Sequence, residues 1–330
     1  MICFYAVRDG ALLRLADGSD ALPAGTTWID LHDPTAAEEA RVERALGLDI
    51  PTRAEMAEIA DSARLYDEGE ALFMTATVVA GAGEGRPVSA SVTFVLTRQV
   101  LVTVRYADPL PFRAFEAQCA RHPELGDGSG RLFLALVGSV VDRVARLLEA
   151  SEEDLDRLSD VIFSDDPGAG GTGKGRRVKR TDLHAVVRQL GRANMLAARL
   201  RDSLQSVSRM LTFYRTAAGE RLDDAQRTML KALDRDIRSL AEHESKLAHE
   251  VGFLLEATLG LIDIEQNRII RVFTIAAVIA LPPTLIGTIY GMNFEHMPEL
   301  RWRYGYPLAL LVMAASAVLP YLWFRRRGWL

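Results

Sequence analysis

The sequence predicts an α+β chain, with a mixed α/β domain at the N-terminus, long stalk helices after it, and a two-helix transmembrane hairpin at the C-terminus. Three observations carry the prediction. Short β-rich stretches alternate with capped helical patterns up to about residue 130. From Leu132 the pattern turns helical, and no proline interrupts Asp223 to Leu281. Two apolar runs, Val272 to Ile289 and Tyr306 to Phe324, close the chain without one charged residue. Each run can cross a hydrocarbon core of roughly 30 Å as a helix.

Taken in order, Ile2–Val7, Thr27–Leu31, Ala71–Val79, Ser89–Thr97 and Val100–Tyr106 are apolar and β-branched enough for strands. Pro34-Thr35 opens a helix over Ala36–Leu46. Long helices are expected over Leu132–Phe163, Val178–Tyr214 and from Asp223 onward. A single helix from Asp223 to Ile289 measures on the order of 100 Å at about 1.5 Å per residue. Only about a third of it fits a bilayer. The rest is a cytoplasmic stalk, which needs partners along its apolar stripe. Three parts follow: a cytosolic α/β domain over 1–130, a cytosolic helical region and stalk over 131–266, and a two-span pore domain over 267–330.

Charge sets the orientation. Arg268 and Arg271 flank the start of the first span, and Arg325, Arg326 and Arg327 follow the second, which places both termini in the cytoplasm. Arg301 and Arg303 in the outer loop argue weakly the other way. Met1 to Leu13 is broken by Arg8 and Asp9, so no cleaved signal peptide is expected. Seven arginines and two acids from Asn267 onward leave 32 basic and 42 acidic groups in the body. A body of net charge −10 makes a nucleic-acid partner a poor expectation and would draw cations toward a pore. Cys3 and Cys119 have no metal-site spacing.

Along the first span, Asn267, Ile270, Thr274, Ala277, Leu281, Thr284 and Thr288 recur at spacings of three and four. That is one helical stripe, and it holds all three threonines of the span. Hydroxyls among apolar rings suit the wall of a conduit, with Ile270, Ala277 and Leu281 as a constriction that excludes water when closed. Pro282-Pro283 frees carbonyls near Val278 and Ile279.

The triplet Gly291-Met292-Asn293 after the first span, followed by Met297-Pro298-Glu299-Leu300, resembles the CorA family of divalent-cation channels. Glu265-Gln266-Asn267-Arg268-Ile269-Ile270 and the tail Arg325-Arg326-Arg327-Gly328-Trp329-Leu330 are similar to that family too. The resemblance implies a homo-pentamer in the inner cell membrane, with the stripe above lining its pore. It also implies potential-driven influx of hydrated Mg²⁺, with Co²⁺ and Ni²⁺ as companions. Gly291, Met292 and Asn293 would then form the selectivity filter, and Glu295 and Glu299 an outer acidic ring. Mg²⁺ sheds its water reluctantly, so neutral oxygens that accept from first-shell waters are a sensible filter. In such channels cytosolic Mg²⁺ also closes the pore by linking the α/β domain to the stalk. Met56-Ala57-Glu58-Ile59 is similar to the family's Leu-Glu-Asp-Ile element, which pairs Glu58 with Asp236 as regulatory ligands. Ala57 stands where the family has an acid. Membrane lipid, divalent cations and further copies of the chain are the partners implied.

Two other readings compete. The zinc-transporting sister branch has a glycine-rich loop where this chain keeps Met297-Pro298-Glu299-Leu300, which favours magnesium. A hairpin-anchored scaffold would have no use for a threonine-bearing stripe. Gly168 to Gly175 comes close to a phosphate-binding loop but places Gly175 where a hydroxyl is required. His243 and His249 are six apart, not the four of a helical zinc site, and read as stalk surface. Nothing reads as an enzyme.

Overall fold

The computed structural model describes residues 1–8, 11–16, 21–57, 64–121, 128–163, 182–292, 302 and 304–329. It divides into two compact units, Met1–Leu255 and Glu256–Leu330.

A seven-stranded sheet organises the first unit. Its strands are β1 Ile2–Arg8, β2 Ala11–Leu15, β3 Trp28–His32, β4 Leu65–Glu68, β5 Ala71–Ala80, β6 Val88–Leu96 and β7 Leu101–Arg105, in the spatial order β2-β1-β3-β7-β6-β5-β4. Neighbours are antiparallel except β3 and β7, which run parallel with Asp30 opposite Thr103. All five stretches expected as strands are strands. The two that were not anticipated, β2 and β4, are the outer edges.

Helices cover both faces. The first, α1 (Ala36–Leu46), starts with the reciprocal bonds of a capping box between Thr35 and Glu38, as Pro34-Thr35 suggested. With the one-turn α2 (Arg53–Met56) it closes a core of Phe4, Ile29, Leu31, Val42, Phe73, Val102 and Val104. On the opposite face lie Trp28, Phe94 and Phe115. Trp28 stacks on Tyr5 and meets Phe115 of α3 (Leu110–Arg121) edge-on. Phe94 meets Phe133 of α4 (Ser129–Phe163) in the same way. Phe94, Phe115 and Phe133 are 1% exposed or less, and burying each is worth roughly 1.5–3 kcal/mol.

Beyond Met74 this edge of β5 has no strand partner among the described residues, where β4 pairs with Ala71–Met74. There α5 (Leu183–Ala218) takes its place: Thr77 N–H donates to Ser206 Oγ at 2.9 Å. A helix laid on an open edge is one way to protect it.

The longest helix, α6 (Asp224–Tyr290, 67 residues), opens on a cap in which Gln226 N–H donates to Asp223 Oδ1 at 2.7 Å. Arg131 pairs with the same carboxylate, and the two contacts hold its pKa below the ordinary value. Leu230, Leu233, Ile237, Leu247, Val251 and Leu254 form its buried stripe, at helical spacing. Leu233 packs at Gly138 of α4, Arg201 of α5 reaches Glu244, and Phe253 stacks on Phe163. Over this stretch the partner that the stalk's apolar face requires is the chain's own α4 and α5, running beside it.

Candidate functional site

The second unit holds the last part of α6 and α7 (Gly305–Arg326), two helices long and apolar enough to cross a membrane. One face of α6 is turned inward here. Ile275 is buried, and Ile279, Pro282, Pro283, Ile286, Gly287 and Tyr290 are half-buried. Gly287 lies against Met313 of α7, where a Cβ would sit 3.5 Å from the Met313 methyl.

The predicted stripe falls on the other side. Asn267, Ile270, Thr274, Ala277, Leu281, Thr284 and Thr288 are all exposed, with Ile270 at 62% and Leu281 at 65%. At about 100° per residue the two sets are centred on opposite faces of the helix. The hairpin's own packing therefore leaves the whole stripe uncovered.

The hydroxyls have a fixed direction. Thr274 and Thr284 donate to the carbonyls of Ile270 and Ala280 at 2.9 and 2.8 Å, and Thr288 donates to that of Leu285 at 2.8 Å. A hydroxyl that spends its proton on the backbone presents only lone pairs outward. Such an oxygen accepts from water. The water around a cation points its protons outward, so this is the polarity a hydrated cation needs.

The helix passes Pro282 and Pro283 without a break and tightens at its end. Gly291 N–H is shared between the carbonyls of Gly287 and Thr288, and Met292 N–H donates to Ile289. Gly291 does not take the left-handed conformation of a helix-ending glycine. A Cβ there would stand 3.3 Å from the Gly287 carbonyl oxygen, so a bare Cα suits the close approach of backbone oxygens.

Asn293, Glu295, Glu299 and Glu58 lie outside the described residues. Asp236 is exposed on α6, with the Arg235 guanidinium 3.7 Å from its carboxylate. The glycine-rich 166–175 segment is likewise outside. His243 is not mere stalk surface: it is half-buried, 3.3 Å from Glu152 of α4, and next to Glu244, which is 2% exposed. Glu244 accepts from Arg201 Nε at 2.8 Å. This tie between α5 and α6 leaves no trace in sequence spacing. Both cysteines are buried and unbridged, and burial pushes the Cys119 thiol up to about 12, away from reactive chemistry. Among the described residues no group of three potential metal ligands comes together.

One feature of the second unit could have been suspected from Gly328. The tail after α7 folds back in a Schellman turn. Gly328, at φ +70°, donates to Arg325, and Trp329 N–H donates to Phe324 at 3.1 Å. Trp329 then stacks on Phe324 with ring centres 5.6 Å apart. The Arg271 guanidinium, from the start of the first apolar run, lies over Trp329 at 5.9 Å. The two charged ends of the hairpin thus meet.

Comparison with known proteins bears on both units. A sequence profile described as CorA-like Mg²⁺ transporter protein matches residues 23–326. The magnesium transport protein CorA of Yersinia pseudotuberculosis is 34% identical over 332 residues, and that of Escherichia coli K12 is 32% identical over 331, both chains fully covered in each case. In fold, the chain is similar to the complete CorA magnesium transporter from Methanocaldococcus jannaschii, with a TM-score of 0.75 at 16% identity, covering 100% of this chain and 99% of that one.

Proposed function

The chain belongs to the CorA family, and from that premise we propose that it is a magnesium channel. It admits hydrated Mg²⁺, with Co²⁺ and Ni²⁺ as lesser substrates, down the membrane potential. Its α/β domain (1–130) and stalk (131–266) lie in the cytosol, and residues 267–330 cross the inner membrane with both termini inside. The observation that carries the reading is the stripe from Asn267 to Thr288, exposed on the face of α6 turned away from α7. Copies of the chain set around an axis, five in number by analogy with the family, would enclose that stripe. Each copy would offer hydroxyl lone pairs and apolar rings to the same conduit.

The driving force is sufficient without a nucleotide. A divalent ion crossing the full potential gains about 4.6 kcal/mol per 100 mV. The protein then needs a filter and a gate, not a pump. Gly291, Met292 and Asn293 are the filter in this reading. Glu295 and Glu299 attract cations outside it, and the Ile270, Ala277 and Leu281 rings are the dewetting gate.

Flux into liposomes that contain the purified protein tests the reading. Magnesium entry should rise with an inside-negative potential and exceed zinc entry. Absence of magnesium flux would overturn it, and faster zinc entry would transfer the chain to the zinc-transporting branch.

Regulation by the cargo is the second part of the proposal. Glu58 and Asp236, from adjacent copies, would hold a cytosolic Mg²⁺ through its waters, and an ion that bridges only the closed arrangement stabilises that arrangement. Because Ala57 removes one acid, the site is weaker than two full acids on that segment would make it. In the double variant Glu58→Ala, Asp236→Ala, currents should no longer decline as internal magnesium rises to millimolar levels. Ordinary shut-off in that variant would move the sensor elsewhere.

A further inference from the structure

The hairpin's charged end is more ordered than a basic tail needs to be. Arg271 lies over Trp329, and Arg327 lies over Trp323 at 5.0 Å. Trp323 meets Phe324 edge-on at 5.1 Å, and Phe324, 5% exposed, stacks on Trp329. The Schellman turn at Gly328 fixes this order, so Trp329 is held against the helix end and not left trailing. Two guanidinium groups are therefore positioned over two indoles. A guanidinium held over an aromatic face has five N–H donors in a fixed fork and can still grip an anion.

The surroundings select the anion. Arg268, Arg271, Arg325, Arg326 and Arg327 converge on this end, and among the described residues neither Arg271 nor any of the three tail arginines is ion-paired to a carboxylate. The nearest acids along α6 are Asp263 and Glu265. Directly beside the stacked pair, Val272 and Phe273 are 61% and 72% exposed, and Leu322 and Trp323 are 45% and 52% exposed. A free phosphate has no use for apolar walls. A phospholipid has both parts, a phosphodiester for the guanidiniums and acyl chains for the walls.

We propose that Arg271, Arg327, Trp323 and Trp329 form a binding site for the headgroup phosphate of an anionic phospholipid, in the leaflet at the charged end of the hairpin. The site rests on the reading of the hairpin as membrane-spanning. Bound lipid bridges the start of the first span to the end of the second, and so holds the two together at the point where α6 leaves the stalk. This goes beyond general attraction of basic residues to an acidic leaflet, because it distinguishes arginines of equal charge. Arg325 and Arg326 lie at the same end and contribute charge, but neither is seated on an indole among the described residues.

The test uses the full-length protein. Lipid retention is measured by native mass spectrometry, with phosphatidylglycerol, phosphatidylcholine and inorganic phosphate as probes. Phosphatidylglycerol should be retained about tenfold better than phosphatidylcholine. The double variant Arg271→Gln, Arg327→Gln should lose that preference to within about twofold, while Arg325→Gln, Arg326→Gln should keep most of it. Equal loss in the two double variants would overturn the site in favour of diffuse charge. Competition by millimolar inorganic phosphate would make it a site for the free ion and overturn the lipid assignment. If the first double variant fails to assemble, Trp329→Leu keeps the apolar contact with Phe324 and should also lose the preference; retention there overturns the proposal. The membrane reading is checked separately. A cysteine at His296 should react with an impermeant maleimide in intact cells, and one at Ser19 should not. That result can hold whether or not the lipid is retained.

Discussion

Asn293→Ala is expected to abolish magnesium entry while the protein still assembles in the membrane. The residue follows Gly291 and Met292, where α6 ends with its N–H groups satisfied by Gly287, Thr288 and Ile289. The carbonyls of Gly287, Thr288 and Ile289 are among the four that a helix end leaves without partners, and because they already accept from these N–H groups they make no demand on the Asn293 side chain. If Gly291, Met292 and Asn293 form the filter, alanine removes a carbonyl oxygen that would accept from the polarised first-shell waters of Mg²⁺ and that no change of pH can neutralise. A charge-assisted hydrogen bond of this kind is worth about 1.5–3 kcal/mol, and a symmetric pore loses one from every copy at once. The expected fall is at least about a hundredfold in liposome flux. A substitution-inert hexaammine trication, which cannot shed its ligands, should block the wild-type pore, because the filter is read as binding the ion with its shell intact. Undiminished flux in the alanine variant would remove Asn293 from the filter. Block by the trication without loss in the variant would keep the hydrated-ion reading and shift the acceptors to backbone oxygens near Gly291.

Legibility in the sequence followed burial. The strands β1, β3, β5, β6 and β7 were readable because apolar residues fill one or both of their faces, as in Leu101–Arg105, where every position is buried. The edge strands β2 and β4 were not. Leu65–Glu68 reads Leu-Tyr-Asp-Glu, with no fully buried position, and edge strands carry the charges that hide the pattern. Helix α3 went unread because it begins Leu110-Pro111, and a proline before the periodic residues looks like a turn until its place in the first helical turn is known.

The site divides in the same manner. The stripe on α6 was legible as a periodicity, but periodicity cannot say which side is covered; that came from Ile275, Gly287 and Met313. The stalk's stripe and its need for partners were legible too, but spacing along one helix does not reveal α4 and α5 beside it. Arg201 and Glu244 are 43 residues apart, and nothing local links them. The tail carried a signal that composition obscured. Five of its six residues are basic or apolar, which reads as a plain basic tail, although a glycine just past a helix is the mark of the turn that folds Trp329 onto Phe324.

In the α/β domain the largest effect is expected at Asp30. Its carboxylate accepts from Arg105 Nε at 3.1 Å and Arg105 Nη2 at 2.9 Å, and from Thr103 Oγ1 at 2.7 Å. Thr103 in turn accepts from the Trp28 indole N–H at 3.0 Å. Arg105 completes its own set with the Ala107 carbonyl and Asp108, and its guanidinium lies over Phe112 of α3 at 5.1 Å. The two side chains are 5% and 6% exposed. Charge taken out of water this completely is tolerable only while every partner is present. The Asp30 contacts outweigh desolvation and hold the guanidinium pKa above its ordinary value. Asp30→Ala leaves two buried guanidinium donors without acceptors, while Asp108 and Ala107 still hold the third. Removing one partner of a buried pair costs about 3–5 kcal/mol, and the surviving contacts place this case near the lower figure. A cost of that size lowers the melting temperature of a unit this large by about 10 °C. Glu70→Ala, which breaks the exposed pair with Arg98, should shift it by no more than about 2 °C. The double replacement Asp30→Leu, Arg105→Met removes both charges and should recover much of the loss, since the cost lies in the orphaned guanidinium and not in the missing attraction. Thermal unfolding of the detergent-solubilised full chain distinguishes these outcomes. A drop for Asp30→Ala no larger than that for Glu70→Ala would mean that water reaches Arg105, and that α3 is fastened to the sheet by Phe112, Phe115 and Trp28 alone.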